Sequence, residues 1–369
     1  MKNLIFSILL ATALASAAAQ PVAIHGHLKV QGARLFDEHG RPVALHGMSL
    51  GWSCFHPRFY TAGTVDWLHR DWNCSVLRAA MGVEPKAGYI DDPTRSTQLI
   101  TTVVDAAIRD GIYVIIDWHS HHINLEQART FFAEMAAKYG KYPNIIYELY
   151  NEPAGPGWPE VKAYAEAVIK VIREKDPDNI ILVGCPRWDQ EIELPAADPI
   201  KGYSNLMYTM HFYAGTHKKW LRERTDSAIA KGLPVFISES AGMEASGNGP
   251  IDYREWQLYI DWINKNNLSW ITWSVSDKDE TCSVLQPSAG SDGHWKDGDL
   301  KESGTRTREY LRGYPPVDKA IPGSTAQTIP GPTALPIPQP TAQTIPRSTA
   351  LATARGILKN SGHPPTAHR

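Results

Sequence analysis

Two carboxylates each close a short apolar run. Ile145-Ile146-Tyr147 leads to Asn151-Glu152-Pro153, and Val235-Phe236-Ile237 leads to Glu239. A strand that finishes on an amide and a carboxyl presents hydrogen-bonding groups just where its main-chain ladder stops. Two such carboxyls in one cleft supply what cleavage of a glycosidic bond needs. One protonates the leaving oxygen, and the other attacks the anomeric carbon or activates water. The two roles require different proton affinities. Two negative charges in one cleft repel, so the two carboxyls are expected to be pushed apart in proton affinity.

Residues so distant in the chain meet only if the fold gathers strand ends. Apolar or β-branched runs recur at 43–48, 75–79, 113–118, 145–150, 180–184, 206–211, 234–239 and 270–275. Most gaps hold helical periodicity, as at 96–110, 125–139, 159–175, 216–231 and 253–266, with helix starts expected at Thr64 and Ser96. Eight strand–helix alternations predict an α/β chain folded as a (β/α)8 TIM barrel. A doubly wound open sheet is the rival, but it would carry a glycine-rich loop after its first strand, and HGMSLGWS is not one. Barrel chemistry sits where strands end. Here the ends carry Trp52, Arg78, Trp118-His119-Ser120-His121-His122, Asn151-Glu152, Trp188, His211-Phe212-Tyr213, Glu239, and Trp273 followed by Lys278. Trp67, Trp72, Trp256 and Trp262 lie in helical stretches and are expected in the core. Glu148 shares a strand face with Tyr150 and Glu152 and is expected to partner a buried cation, Arg78.

The segments GMSLGW, VLRAAMGVEPKAGYIDDP, YVIIDWHSH, PNIIYELYNEP, YTMHFYAGTH, VFISES and SWITWSVSDKDE together resemble glycoside hydrolase family 5, within its bacterial endo-β-1,4-glucanases. The likeness runs over roughly residues 27–313. It implies a retaining barrel enzyme with no metal or organic cofactor. It also implies Glu152 as general acid/base and Glu239 as nucleophile, with Arg78 and Tyr213 hydrogen-bonded to Glu239; in those roles Glu152 is expected to be raised by the charge of Glu239, and Glu239 to be lowered by Arg78. Asn151 would hold the sugar 2-hydroxyl, and His119 and His211 would line the central subsite. Trp273 would form a stacking platform there, with Trp188 and Lys278 against neighbouring sugars. Trp52, which follows the first strand, is assigned to sugar binding by its position. The substrate expected is a β-1,4-glucan, with a mannanase or xyloglucanase on the same scaffold, or a non-catalytic β-glucan-binding protein, as the alternatives. In one departure, Ser240-Ala241-Gly242 follows Glu239 where the family has an aromatic residue and a glycine, and the loop behind Glu239 is expected to pack differently.

The remaining features set boundaries. A net charge of −2 over 369 residues gives no basic face for a nucleic acid. Residues 1–19, with Lys2, an apolar stretch and Ala17-Ala18-Ala19, read as a secretory signal peptide, so a secreted protein free of the membrane is expected, and a monomer. Residues 20–314 form the expected catalytic domain. From 315 to 369 the chain is rich in Pro, Thr and Ser, repeats TAQTIP, and reads as a disordered linker or tail. His119, His121, His211 and Asp277 invite a metal reading. It is set aside because metal-dependent barrel hydrolases place the His pair on the first strand rather than the third. Cys54, Cys74, Cys185 and Cys282 leave both free thiols and a Cys54–Cys282 bridge open.

Overall fold

The computed structural model describes residues 20–315. The expected signal peptide and the tail beyond 315 lie outside them. Eight strands form a closed, all-parallel barrel: β1 His46–Leu50, β2 Val76–Gly82, β3 Tyr113–His119, β4 Ile145–Glu148, β5 Ile180–Val183, β6 Leu206–Tyr213, β7 Val235–Ala241 and β8 Trp270–Val275, with β8 paired to β1. Almost every strand residue is buried, because helices cover the outside and side chains fill the inside. The major helices are α1 Ala62–Arg70, α2 Pro93–Asp110, α3 Leu125–Tyr139, α4 Trp158–Arg173, α5 Lys219–Ala230, α6 Tyr253–Asn266 and α7 Glu302–Arg312.

The (β/α)8 reading holds, and the differences lie at element ends. α1 and α2 start before Thr64 and Ser96. Thr61 accepts the Thr64 N–H, Asp92 accepts the Arg95 N–H, and Pro93 occupies the first turn of α2, where its missing N–H costs nothing. β1, β3, β6 and β7 run one or two residues further than expected and β2 three, whereas β4 stops at Glu148 and β5 at Val183. The segment after β4 stays attached to the extended β3, since Asn151 N donates to Trp118 O at 3.1 Å and Glu152 N to Ser120 O at 3.2 Å.

One end of the barrel is closed. A short hairpin, Lys29–Gln31 with Arg34–Phe36, brings Leu28 and Leu35 against Leu45, Val76, Ile115, Ile146, Phe236 and Ile271. The sequence reading did not include this hairpin, whose strands are too short to show periodicity. Trp72 and Trp256 are fully buried and Trp67 and Trp262 pack against the same helix–barrel core, as expected. All four cysteines are free thiols. Cys54 Sγ lies against Gly82 and Cys282 Sγ against Gly247, so the possible Cys54–Cys282 bridge is not made. No helix among the described residues is long and apolar enough to cross a membrane.

The β1–β2 seam depends on one missing side chain. A Cβ on Gly47 would stand 1.7 Å from the Val76 carbonyl oxygen, and backbone in a closed barrel has little room to yield. Gly47→Ala should therefore lose at least about 1–3 kcal/mol. Urea unfolding would read this as a lower midpoint, and an unchanged midpoint would show that the seam opens freely.

Candidate active site

Arg78, fully buried on β2, organises the open end of the barrel. Its Nε donates to Glu148 Oε2 at 2.7 Å, Nη1 to Glu239 Oε2 at 2.9 Å and Nη2 to Asn151 Oδ1 at 2.6 Å, and Asp117 Oδ2 is 3.0 Å from Nη2. A planar guanidinium with five fixed N–H groups suits this fan of acceptors from β3, β4, the following loop and β7. Glu148 is thus the partner of Arg78 that the strand face suggested. Asn151 spends its oxygen on Arg78, which leaves its buried Nδ2 without a protein partner among the described residues.

Glu239 is held at both oxygens, because Tyr213 Oη donates to Oε1 at 2.7 Å opposite the Arg78 contact. Glu152 Oε1 lies 3.0 Å from His211 Nδ1, and Oε2 lies 3.7 Å from His121 Nδ1. One ligand atom from each of Glu152, His211 and Glu239 lies within 4.8 Å of the others. A trio this close also has the span of a metal site. However, both His211 nitrogens and both Glu239 oxygens already face protein partners, which argues for a hydrogen-bonded acid–base cluster.

The protonation of His211 follows from its neighbours. Ser238 Oγ donates its only hydrogen to Glu148 Oε1 at 2.6 Å, so at 2.9 Å from His211 Nε2 it accepts. His211 Nδ1 meets Glu152 Oε1 at 3.0 Å and Asp189 Oδ2 at 3.3 Å, so a proton must lie between the ring and these oxygens. Although burial alone would lower it, the ring of Asp189, Glu148, Glu152 and Glu239 raises His211 well above its ordinary value. The expected order of the two glutamates is reversed. Burial pulls Glu152 upward, but the hydrogen bond and charge of His211 win and hold it below the usual carboxylate range. Burial and then the charge of Glu152 raise Glu239, against His211, Arg78 and Tyr213. The sequence reading counted two glutamates and one arginine. The structure adds an imidazolium beside Glu152 and divides Arg78 among three carboxyls.

The aromatic residues line the same mouth. Trp273 is stacked on His119 with ring centroids 4.9 Å apart, and Trp52 meets His119 edge-on at 4.2 Å and lies 5.6 Å from His121. Burial, then Arg78, keeps His119 well below its ordinary value, and Asp117 Oδ2 lies 2.7 Å from its Nδ1. Trp188 is 45% exposed, and its backbone N–H donates to Pro153 O at 3.3 Å, which ties its turn to the Asn151-Glu152-Pro153 loop. Lys278 is exposed and pairs with Glu280. The residues after Glu239 are packed, not loose. Ser240 Oγ donates to Ile271 O at 2.8 Å, and Gly242 lies so close to the Trp256 ring that a Cβ would stand 2.1 Å from it.

Sequence reasoning missed Asp117, Asp189 and Ser238. Asp117 had a signal, being a charge inside an apolar strand two residues before His119 and on the same face. Asp189 had none, because only the turn after β5 decides where it points.

A model of the cellulase family, glycosyl hydrolase family 5, matches residues 36–279. The chain is 40% identical over 304 residues to an endoglucanase of Clostridium saccharobutylicum, covering 80% of this chain and 67% of that protein. It is 39% identical to endoglucanase Z of Dickeya dadantii, covering 81% and 68%. Among solved structures, one from Cytophaga hutchinsonii matches with a TM-score of 0.78 and 44% identity, over 80% of this chain and 97% of that one. The catalytic domain of Thermobifida fusca endoglucanase Cel5A matches with a TM-score of 0.75 and 35% identity, over 80% and 100%.

Two outcomes follow from the geometry. Arg78→Leu leaves three buried carboxyls without their cation and should destabilise the fold by about 3–5 kcal/mol in denaturant unfolding; a loss well under 1 kcal/mol would contradict the shared-cation arrangement. Tyr213 lowers Glu239 by donating to it. Tyr213→Phe should therefore raise Glu239 further and move the acid limb of kcat/KM toward neutral pH by up to about 1 unit. A limb that stays in place or moves toward acid would show that this hydrogen bond does not tune Glu239.

Proposed function

The chain belongs to glycosyl hydrolase family 5, the cellulases, and is a glycoside hydrolase; from that premise we propose that it is a secreted endo-β-1,4-glucanase that retains anomeric configuration. The observation that carries this reading is the approach of Glu152 and Glu239, with one oxygen of each carboxyl within 4.8 Å of the other at the open end of one barrel. Retaining enzymes hold their carboxyls about 5–5.5 Å apart, whereas inverting enzymes leave about 6.5–9.5 Å for a water. The glucan preference draws on the relatives' names and on a Glu→Gln variant of the Thermobifida fusca domain solved with cellotetraose. Export rests on the sequence of residues 1–19 alone.

In this reading Glu239 attacks the anomeric carbon. The hydrogen bonds from Arg78 and Tyr213 keep its two oxygens fixed for that attack. Glu152 delivers the proton to the leaving oxygen, and water later returns it as the glycosyl–Glu239 bond is cut. That proton is stored at the contact between His211 Nδ1 and Glu152 Oε1. A sugar seated over the pair excludes water from Glu152, and this desolvation shifts the proton from the imidazolium to the carboxyl. The spare Nδ2 of Asn151 donates to the sugar 2-hydroxyl, a contact that tightens in the transition state. Trp52, Trp273 and Trp188 offer flat faces to the apolar C–H faces of successive sugars, and Lys278 binds at the rim.

Glu152→Gln and Glu239→Gln should each lower kcat on carboxymethyl-cellulose by about 10³-fold or more while the barrel stays folded. Proton NMR of the first-formed product from a defined cello-oligosaccharide should show the β-anomer. An initial α-product would refute retention, and near-normal turnover in either Gln variant would refute the assignment of that residue. Parallel assays on mannan and xyloglucan test the substrate.

A further inference from the structure

The turn after β5 carries a carboxyl that the chemistry above does not use. Arg187, Trp188 and Asp189 adopt left-handed backbone with φ of 55°, 54° and 59°. Each such non-glycine residue costs about 1–2 kcal/mol. The result is a split, with Trp188 largely exposed and Asp189 fully buried. Asp189 Oδ1 accepts from the Cys185 N–H and, at 2.7 Å, from Thr209 Oγ1, which fixes the carboxyl plane. Its Oδ2 makes no hydrogen bond of its own and points at His211 Nδ1, 3.3 Å away. That nitrogen is the one that faces Glu152. A buried carboxyl is costly without a cation, and the imidazolium is the cation in reach.

We infer that Asp189 is a positioning residue whose charge keeps a proton on the His211–Glu152 pair, and so extends activity to higher pH. This rests on the reading of Glu152 as the acid. Other groups also act on the His211 ring: Glu148 and Glu152 from β4 and its loop, Glu239 from β7, Asp117 and His119 from β3, and His217 from the loop after β6. Ser238 accepts from Nε2, and His121 and Arg78 act through Glu152. Among the described residues, only the carboxyls of Glu152 and Asp189 meet Nδ1. Burial lifts the Asp189 carboxyl to about 8, against the pull of His211. The Asp189–His211–Glu152 set therefore gives up its last proton late in an alkaline titration.

The test is the pH profile of kcat/KM on carboxymethyl-cellulose for the full chain and for Asp189→Asn, which keeps the side-chain size and removes the charge. The basic limb should move toward acid by about 1 pH unit, with the activity at acid pH kept. An unmoved limb, or an equal fall at every pH, overturns the inference. If the variant does not fold, nitrogen-15 NMR of the wild-type His211 ring, assigned with His211→Asn, decides the matter. A ring doubly protonated through neutral pH supports the inference, and one that is neutral below pH 7 overturns it. The assignment of Glu152 as the acid fails separately, through an active Glu152→Gln.

Discussion

One buried guanidinium holds the working end of this barrel together. Arg78 reaches Asp117, Glu148 and Glu239 and also fixes Asn151, so four segments far apart in sequence share one cation. A single positive charge cannot neutralise three carboxylates that are themselves buried. The surplus negative charge must be met by protons or by a second cation. That constraint leads directly to His211.

His211 is the second group that answers it, drawn toward protonation by Asp189, Glu148, Glu152 and Glu239 against the opposing effect of burial. Its Nε2 is committed as a donor through Ser238 to Glu148, which is itself bound by Arg78. Its Nδ1 faces Glu152 and Asp189. The proton that glycosidic cleavage requires therefore belongs to a small network, not to one carboxyl made acidic or basic by a single neighbour. This is why the simple expectation, with Glu152 high and Glu239 low, fails in the free protein. The pair is separated in proton affinity, but by the imidazolium on one side and a divided arginine on the other.

The scaffold supports this crowding by rigidity. The chemistry-bearing side chains leave from strand ends or from the first residues beyond them, where ladder hydrogen bonds still hold the backbone. The opposite end is filled by the hairpin and an apolar plug. The aromatic wall of Trp52, His119 and Trp273 then gives the cleft a flat apolar side next to its charged floor.

Much of this was legible from residue order. The eight-fold alternation, Glu152 and Glu239 at strand ends, and Glu148 on the face toward Arg78 all follow from periodicities of 2 and 3.6 residues, which are local properties of the chain. Exact strand ends were less legible, because β3, β6 and β7 are extended by partners on neighbouring strands that a single run cannot display. The free cysteines and the packing of Ser240 and Gly242 likewise depend on what lies across the barrel. Sequence by itself determined which side chains stand at the barrel mouth, since that needs only strand count and direction. Only the tertiary structure decided where the protons reside, because proton affinity depends on distances of about 3 Å between groups from different strands. Asp189 is the sharpest case: a left-handed turn buries its carboxyl beside His211, and nothing in the neighbouring residue types announces it.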